Sequence, residues 1–362
     1  MEGPMLSRIG RFMEIMGIDS IEKAARLAAT YGGIVLLGFI ALAFLLMWIR
    51  RPLEEGARIR RGLPITSAAS LMVIIASVAL GLGIVLPLVR ASQRTAGLPS
   101  QVDRMMRIQS EQLVRTILSQ PRYGDPKKLN RFEFKMFSQN GEDGIITEIF
   151  RRIGTTNRQF VEFGASSGDE NNTVFLLRQG WKGLWMDGDA AAVKRARATF
   201  RSEISGGQLT VIEAFITAEN IEDLFRQGQV PDEFDVLSID IDRNDYYVWE
   251  KIAHYRPRCV VMEYNAGFPP TMSWVVPYDP KAWGGNSFGD GNGASLKALE
   301  ELGTKKGYSL VACDLCGVNA FFVRNDLLKD RFAAPYTAEN HYEPFRFGKI
   351  LDHYYQKSSL EP

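Results

Sequence analysis

The stretch Gln159-Phe-Val-Glu-Phe-Gly-Ala-Ser-Ser-Gly168 decides the fold of this chain. Its first half is a short apolar run that predicts a buried strand. Its second half is a glycine-rich turn of the kind that leads from a strand into a helix. Four further apolar runs follow, each separated from the next by a helical pattern. We therefore expect additional strands near residues 183–186, 209–215, 234–239 and 259–262.

Strands that alternate with helices predict parallel pairs joined by crossover connections, and hence a doubly wound α/β sheet. The C-terminal part has a different rhythm, because the strands expected at 308–313 and 318–323 are separated by only four residues. A connection this short requires an antiparallel hairpin. The predicted fold is therefore a Rossmann-like, mostly parallel sheet that ends in a C-terminal antiparallel hairpin.

Ligands of such sheets bind over the carboxyl ends of the strands, so the residues that follow each strand are the candidates for a site. Gly164 and Gly168 follow the first strand and allow the backbone to approach a ligand closely. Asp187 ends the second strand, 19 residues after Gly168, which matches the interval to a carboxylate that binds ribose hydroxyls. The alternative is a tight strand-to-helix turn without a ligand.

Polar side chains also end the fourth and fifth strands, namely Asp240, Asp242, Glu263 and Asn265. Neighbouring parallel strands would bring them close together. Asp240, Asp242 and Glu263 are candidate ligands of Mg²⁺, which prefers oxygen donors and could lower the pKa of a substrate hydroxyl. A metal-free general base is an equal candidate, and a purely structural role in helix capping or ion pairing is the third.

Four segments form a recognisable set: Phe137-Ser-Gln-Asn-Gly-Glu-Asp143, Val161-Glu-Phe-Gly-Ala-Ser-Ser-Gly168, Ser238-Ile-Asp-Ile-Asp242 and Gly317-Val-Asn-Ala-Phe-Phe322. Together with Asn172 and Thr173, these segments resemble the FkbM-like methyltransferases. The resemblance covers about residues 132–326. It implies a class I fold and S-adenosylmethionine as the cofactor.

The resemblance also implies roles for individual residues. Glu162, Gly164, Ala165 and Gly168, with Ser166 in the same turn, would surround the methionine part of the cofactor. Asp187 would bind the ribose, and Phe215 and Ile216 would lie near the adenine. The implied activity is methyl transfer, and we expect the acceptor to be a hydroxyl oxygen of a glycan, a lipid-linked sugar or another small molecule.

The N-terminal quarter of the chain predicts a membrane segment. Residues 27–49 and 62–89 contain no charged side chain, and each run ends at an arginine, Arg50 or Arg90. A helix of 23 residues spans about 35 Å, which is enough to cross a hydrocarbon core of about 30 Å. We expect two spans, at about 31–49 and 66–89, and hence the lipid bilayer as a partner. A signal peptide fits poorly, because the first run is long and is followed by two arginines.

These observations divide the chain into an N-terminal flank (1–26), a membrane hairpin (27–91), a juxtamembrane helix and linker (92–128), a methyltransferase-like domain (129–335) and a C-terminal extension (336–362). The five arginines of the loop 50–65 favour a cytoplasmic loop and an external domain. S-adenosylmethionine is made in the cytoplasm, however, so we expect the soluble domain there.

Composition excludes several classes of protein. The chain is 46% hydrophobic and has a net charge of +1, which argues against disorder and against general nucleic-acid binding.

Two other functions remain open. One is a membrane-tethered binding or trafficking module that has the fold without turnover. The other is a serine hydrolase, since the turn 164–168 also matches G-x-S-x-G with Ser166 as nucleophile, although few elements precede the turn to supply an oxyanion hole.

Overall fold

The computed structural model describes residues 98–282 and 293–346. The chain divides into two compact units, Met1–Asp103 and Arg104–Pro362. The described residues of the first unit are the first turns of a helix. Both predicted membrane spans lie outside the described residues. Within the part of the chain that the structure describes, no helix is long and apolar enough to cross a bilayer.

The second unit is built on a seven-stranded sheet. Its strands are β1 (Gln159–Phe163), β2 (Lys182–Asp187), β3 (Leu209–Glu213), β4 (Glu233–Ile239), β5 (Arg256–Glu263), β6 (Tyr308–Cys313) and β7 (Asn319–Arg324). Its helices are α1 (Leu98–Leu118), α2 (Glu142–Ile153), α3 (Val174–Arg178), α4 (Ala190–Thr199), α5 (Arg201–Ser205), α6 (Ile221–Gln227), α7 (Asp245–Lys251), α8 (Leu296–Lys306) and α9 (Ala338–His341).

The strand order is β3-β2-β1-β4-β5-β7-β6. The first five strands pair in parallel, and β7 pairs antiparallel with both β5 and β6. This topology confirms the predicted Rossmann-like, mostly parallel sheet with a C-terminal antiparallel hairpin. All seven predicted strands are present, with ends that differ by up to three residues from those expected.

The sheet is buried on both faces because its strands are apolar on both sides. Along β1, Phe160 packs into one core with Trp185, whereas Val161 and Phe163 pack into the other. Local signals fix the helix ends. The side chains of Asp189 and Ser295 accept hydrogen bonds from the first turns of α4 and α8.

The register brings the ends of the central strands together. Phe163 of β1 lies opposite Ile239 of β4, and Ile239 lies opposite Met262 of β5. The residues that directly follow these positions, Gly164, Asp240 and Glu263, therefore meet at one edge of the sheet. The candidate site lies at this edge.

Candidate active site

A cavity of about 290 Å³ opens at the carboxyl ends of β1, β2 and β4. The residues that line it are Gly164, Ser166, Asp187, Gly188, Asp189, Phe215, Ile216, Asp240, Ile241, Asp242, Asn244 and Ala282. Seven of the candidate residues from the sequence are thus brought to one cavity. They are Gly164, Ser166, Asp187, Phe215, Ile216, Asp240 and Asp242.

Asp187 holds the turn that follows β1. One carboxylate oxygen accepts a hydrogen bond from the backbone N–H of Ser166 and the other from that of Asp189, each at 2.7 Å. The carboxylate is thereby fixed at the cavity wall. A carboxylate has about four lone-pair sites, so two remain for a ligand's hydroxyl groups.

The backbone of the turn passes unusually close to the next strand. A Cβ atom on Gly164 would lie 1.4 Å from the carbonyl oxygen of Asp240, and the φ angle of Gly164 is +76°. Only glycine fits both constraints. Ser166 also has a positive φ, of 45°, although it carries a side chain. It contributes to the turn through its backbone N–H, which donates a hydrogen bond to Asp187.

Three of the candidate cofactor residues have packing roles. They are not among the described residues that line the cavity. The buried carboxylate of Glu162 accepts hydrogen bonds from the backbone of Asn172 and from the hydroxyl of Thr173. Ala165 is buried in the core. A Cβ on Gly168 would lie 2.9 Å from the Trp185 ring, so this glycine allows close packing. Sequence alone could not separate these roles from contact with a ligand.

An aromatic residue forms the opposite wall. Phe215 follows β3 and remains 42% exposed, which is unusual for a phenylalanine beside a cavity. Ile216 next to it is buried. A Cβ on Gly188 would lie 3.4 Å from the Phe215 ring, an ordinary van der Waals distance, so the two residues are neighbours at this wall. The half-exposed ring offers a flat apolar surface to a ligand.

Three carboxylates meet at the far side of the site. Single oxygens of Asp240, Asp242 and Glu263 lie within 4.8 Å of one another. The side chain of Asp240 is open to solvent at the cavity, yet desolvation and the charges of Asp245 and Asp242 raise its pKa well above the usual value. Desolvation and the charge of Asp240 likewise raise the pKa of Glu263 well above its usual value. The group therefore favours a bound proton or a cation.

Two neighbours extend this acidic group. Burial raises the pKa of Asp245 to about 6, and one of its oxygens accepts a hydrogen bond from the Ile241 backbone at 2.8 Å. Burial and the charge of Asp187 raise the pKa of Asp242. Asn265, the fourth residue expected here, follows β5. Its side-chain oxygen accepts a hydrogen bond from Gly267 N at 2.9 Å.

The segment 137–143 supports the hairpin and does not line the cavity formed by residues 164–282. The buried Asp143 carboxylate accepts three hydrogen bonds, from the backbone N–H groups of Met136, Phe137 and Ser138. Glu142 accepts a hydrogen bond from the side-chain amide of Asn319 at the start of β7, at 2.9 Å. These acidic residues fix the loop before α2 against the sheet.

Five cavity residues were not predicted from the sequence: Gly188, Asp189, Ile241, Asn244 and Ala282. Gly188 and Asp189 directly follow Asp187, so their position at the end of β2 could have predicted their contact with the cavity. Asn244 is buried, and its side-chain amide donates to the carbonyl oxygen of Asp279 at 2.8 Å. Ala282 comes from the long connection 266–295 after β5, whose length is typical of a binding loop, although its sequence does not single out Ala282.

A serine nucleophile requires a histidine or similar general base within hydrogen-bond distance. Of the described histidines, His254 is 2.9 Å from Asp232, and His341 is buried 3.1 Å from the carbonyl oxygen of Ala333. Neither is hydrogen-bonded to Ser166. Burial lowers the pKa of His341 to about 3, so it remains neutral at physiological pH.

No protein-family model matches the chain, and no curated protein matches it. Solved structures of similar fold include the magnesium protoporphyrin IX methyltransferase ChlM from Synechocystis PCC 6803 with bound S-adenosylmethionine. It is 12% identical over 51% of this chain and 77% of its own, with a TM-score of 0.34. The N-terminal domain of EvdMO1 with S-adenosylhomocysteine bound is 15% identical over 61% of this chain and 94% of its own, also with a TM-score of 0.34.

The O-methyltransferase from Bacillus cereus, in complex with S-adenosylhomocysteine, is 13% identical over 45% of this chain and 66% of its own. Its TM-score is 0.28. These likenesses concern the fold alone. The assignment of a cofactor and a reaction therefore depends on the residues of this chain.

Proposed function

We propose that this chain is an S-adenosylmethionine-dependent methyltransferase that acts on a hydroxyl oxygen. One observation carries the proposal. A fixed carboxylate, Asp187, and a half-exposed ring, Phe215, face one cavity at the carboxyl ends of the parallel strands. A carboxylate for ribose hydroxyls and a flat apolar surface for a purine are what an adenosine ligand requires.

The residues present fit the cofactor chemically. Asp187 would accept hydrogen bonds from the ribose hydroxyls, and Phe215 with Ile216 would pack against the adenine. Gly164 and Ser166 would let the methionine part pass close to the backbone of the turn. When bound, S-adenosylmethionine supplies an electrophilic methyl group on its sulfonium.

The three carboxylates suit an oxygen acceptor. A hydroxyl must lose its proton as its oxygen gains the methyl group, and a carboxylate of raised pKa accepts that proton more readily while it is itself deprotonated. Asp240 and Glu263 both have a raised pKa, so the one of the pair that is deprotonated is the stronger base. We assign proton acceptance to this pair, with Asp242 beside it, and Asn265 stays a further candidate.

The same oxygen atoms are also suitable ligands for Mg²⁺. A divalent cation held by Asp240, Asp242 and Glu263 would supply a charge that lowers the pKa of a hydroxyl beside it. The alternatives differ in one measurable respect, which is whether added Mg²⁺ changes binding or transfer.

We further propose that two spans, at about 31–49 and 66–89, anchor the chain in a membrane, with the methyltransferase domain on the cytoplasmic side. The charge-free runs in the sequence support the anchor, and the location of the cofactor supports the orientation. A glycan or lipid-linked sugar near the membrane is the substrate class that this position favours. A C-terminal reporter that is active only outside the cytoplasm should be inactive, and an active reporter would contradict the orientation.

Calorimetric titration of the full chain in detergent with S-adenosylmethionine and S-adenosylhomocysteine, with and without Mg²⁺, tests the cofactor. We expect both to bind. Asp187→Ala should weaken binding about ten- to a hundredfold, because charged hydrogen bonds contribute about 1.5–3 kcal/mol. Asp169→Ala is the matched control, since Asp169 is an exposed carboxylate in the connection after β1 and lies outside the cavity. A folded chain that binds neither compound would contradict the proposal and favour the non-enzymatic binding module.

A further inference from the structure

Helix α1 separates its charged and apolar side chains over residues 104–118. The charged residues of this stretch are Arg104, Arg107, Glu111 and Arg115. At 100° per residue they fall within an arc of about 80° on the helix surface. Glu111 and Arg115 form an ion pair of 2.5 Å within this arc. The rest of the surface of this stretch carries no charge.

A second part of the helix surface packs against the domain. Ser110, Val114 and Ile117 are buried, and Val114 and Ile117 form an apolar cluster with Tyr123 and Leu315. This contact fixes the rotation of α1 about its own axis. The charged arc lies on one flank of the contact and an uncharged arc on the other.

The uncharged arc is exposed, and four of its seven residues are apolar. It contains Met105, Met106, Ile108 and Leu113, whose exposed fractions range from 38% to 61%. These four residues fall within about 160° of the helix surface, together with uncharged polar residues such as Gln109. Single exposed apolar residues are ordinary in proteins, but a charge-free arc of four on one helix indicates a surface that has a partner.

The partner follows from the neighbouring sequence and its charge. The charge-free run 62–89 ends nine residues before Leu98. Nine residues of fully extended chain span at most about 30 Å. Residues 90–118 contain five arginines and two acidic residues, so the helix and its approach are basic. An amphipathic helix with a basic face and an apolar face lies in the interface of a bilayer, and arginines there attract anionic lipids.

We propose that the apolar arc of α1 inserts into the headgroup region of an anionic bilayer. The arc would then hold the methyltransferase domain against the membrane surface. The inference rests on the membrane anchor proposed above. It extends that proposal, because an anchor alone does not require α1 to touch lipid.

Site-directed labelling of the full chain tests this contact. All three native cysteines are buried, so a single introduced cysteine can be labelled selectively. Met105→Cys and Leu113→Cys report on the apolar arc, and Glu111→Cys is the matched control on the charged arc. Each variant carries an environment-sensitive nitrobenzoxadiazole label. Each is reconstituted into vesicles of phosphatidylcholine and phosphatidylglycerol in equal amounts.

The labels at 105 and 113 should show blue-shifted emission and lose intensity when the vesicles contain doxyl-labelled lipids, whereas the label at 111 should do neither. Water-like emission at all three positions in a chain that floats with the vesicles would overturn the inference alone. A blue shift that disappears on diluting the protein within the bilayer would assign the arc to a second copy and overturn it too. A chain that does not float with the vesicles would contradict the membrane anchor itself.

Discussion

Replacing Gly164 by alanine should damage both the stability of the domain and its site. The positive φ alone costs a residue with a side chain about 1–2 kcal/mol. The new Cβ would also lie 1.4 Å from the carbonyl oxygen of Asp240, where real contacts exceed 3.0 Å. The ends of β1 and β4 must therefore separate within a close-packed sheet. We expect a total loss above about 4 kcal/mol in the free energy of unfolding.

The chain offers a matched control in Gly307, which has a similar φ of +83° and lies in the left-handed region. Among the described residues, no atom lies within 4 Å of the position that a Cβ on Gly307 would take. Gly307→Ala should lose only the conformational part, about 1–2 kcal/mol. Urea unfolding of the full chain in detergent, followed by the fluorescence of the buried Trp185 and Trp249, measures both variants.

The difference of at least about 2 kcal/mol corresponds to a midpoint lower by about 1 M urea in Gly164→Ala. Affinity for S-adenosylhomocysteine should also fall in Gly164→Ala, because the Asp240 backbone has to move, and should be retained in Gly307→Ala. Equal midpoints for the two variants would refute the argument that the Asp240 carbonyl makes glycine necessary.

Three further predictions concern single groups. Ser166→Ala should leave the affinity for S-adenosylhomocysteine within about twofold in a binding titration, because the backbone N–H is retained; a large loss would show that the hydroxyl matters. The free energy of unfolding should fall by about 2 kcal/mol between pH 4 and pH 6.5 through Asp245, whose pKa rises from 3.8 to about 6 on folding, so that the folded state holds the proton more tightly. Urea titrations across that range should show a smaller fall in Asp245→Asn, and an unchanged slope would contradict the assignment. Asp235→Ala should cost about 3–5 kcal/mol in the same assay, because it leaves Arg258 buried without its 2.8 Å partner, whereas the exposed Asp232→Ala should cost less than about 1 kcal/mol.

The sheet could be predicted from the sequence because local and long-range signals agree. Each strand of the parallel part is largely apolar, and the five residues between β6 and β7 leave room only for a hairpin. Asp187 and Asp240 were recognisable for the same reason, since the end of a strand is also the edge of the sheet.

The distribution of roles within the turn could not be predicted. Glu162 and Gly168 stand in the same segment as Gly164, but their partners, Thr173 and Trp185, are fixed only when the chain folds. The pKa values of the acidic group could not be predicted for the same reason. The charge of Asp245 raises the pKa of Asp240 through space, and this effect depends on how the turn between them folds.

A structure of the chain with S-adenosylhomocysteine bound would test the central proposal most directly. We expect the ligand in the cavity of about 290 Å³, with its ribose hydroxyl oxygens within about 2.6–3.2 Å of the Asp187 carboxylate and its adenine against Phe215. The sulfur should point toward Asp240 and Glu263. A ligand bound elsewhere on the chain, or a cavity that stays empty at saturating concentration, would contradict the assignment of this site.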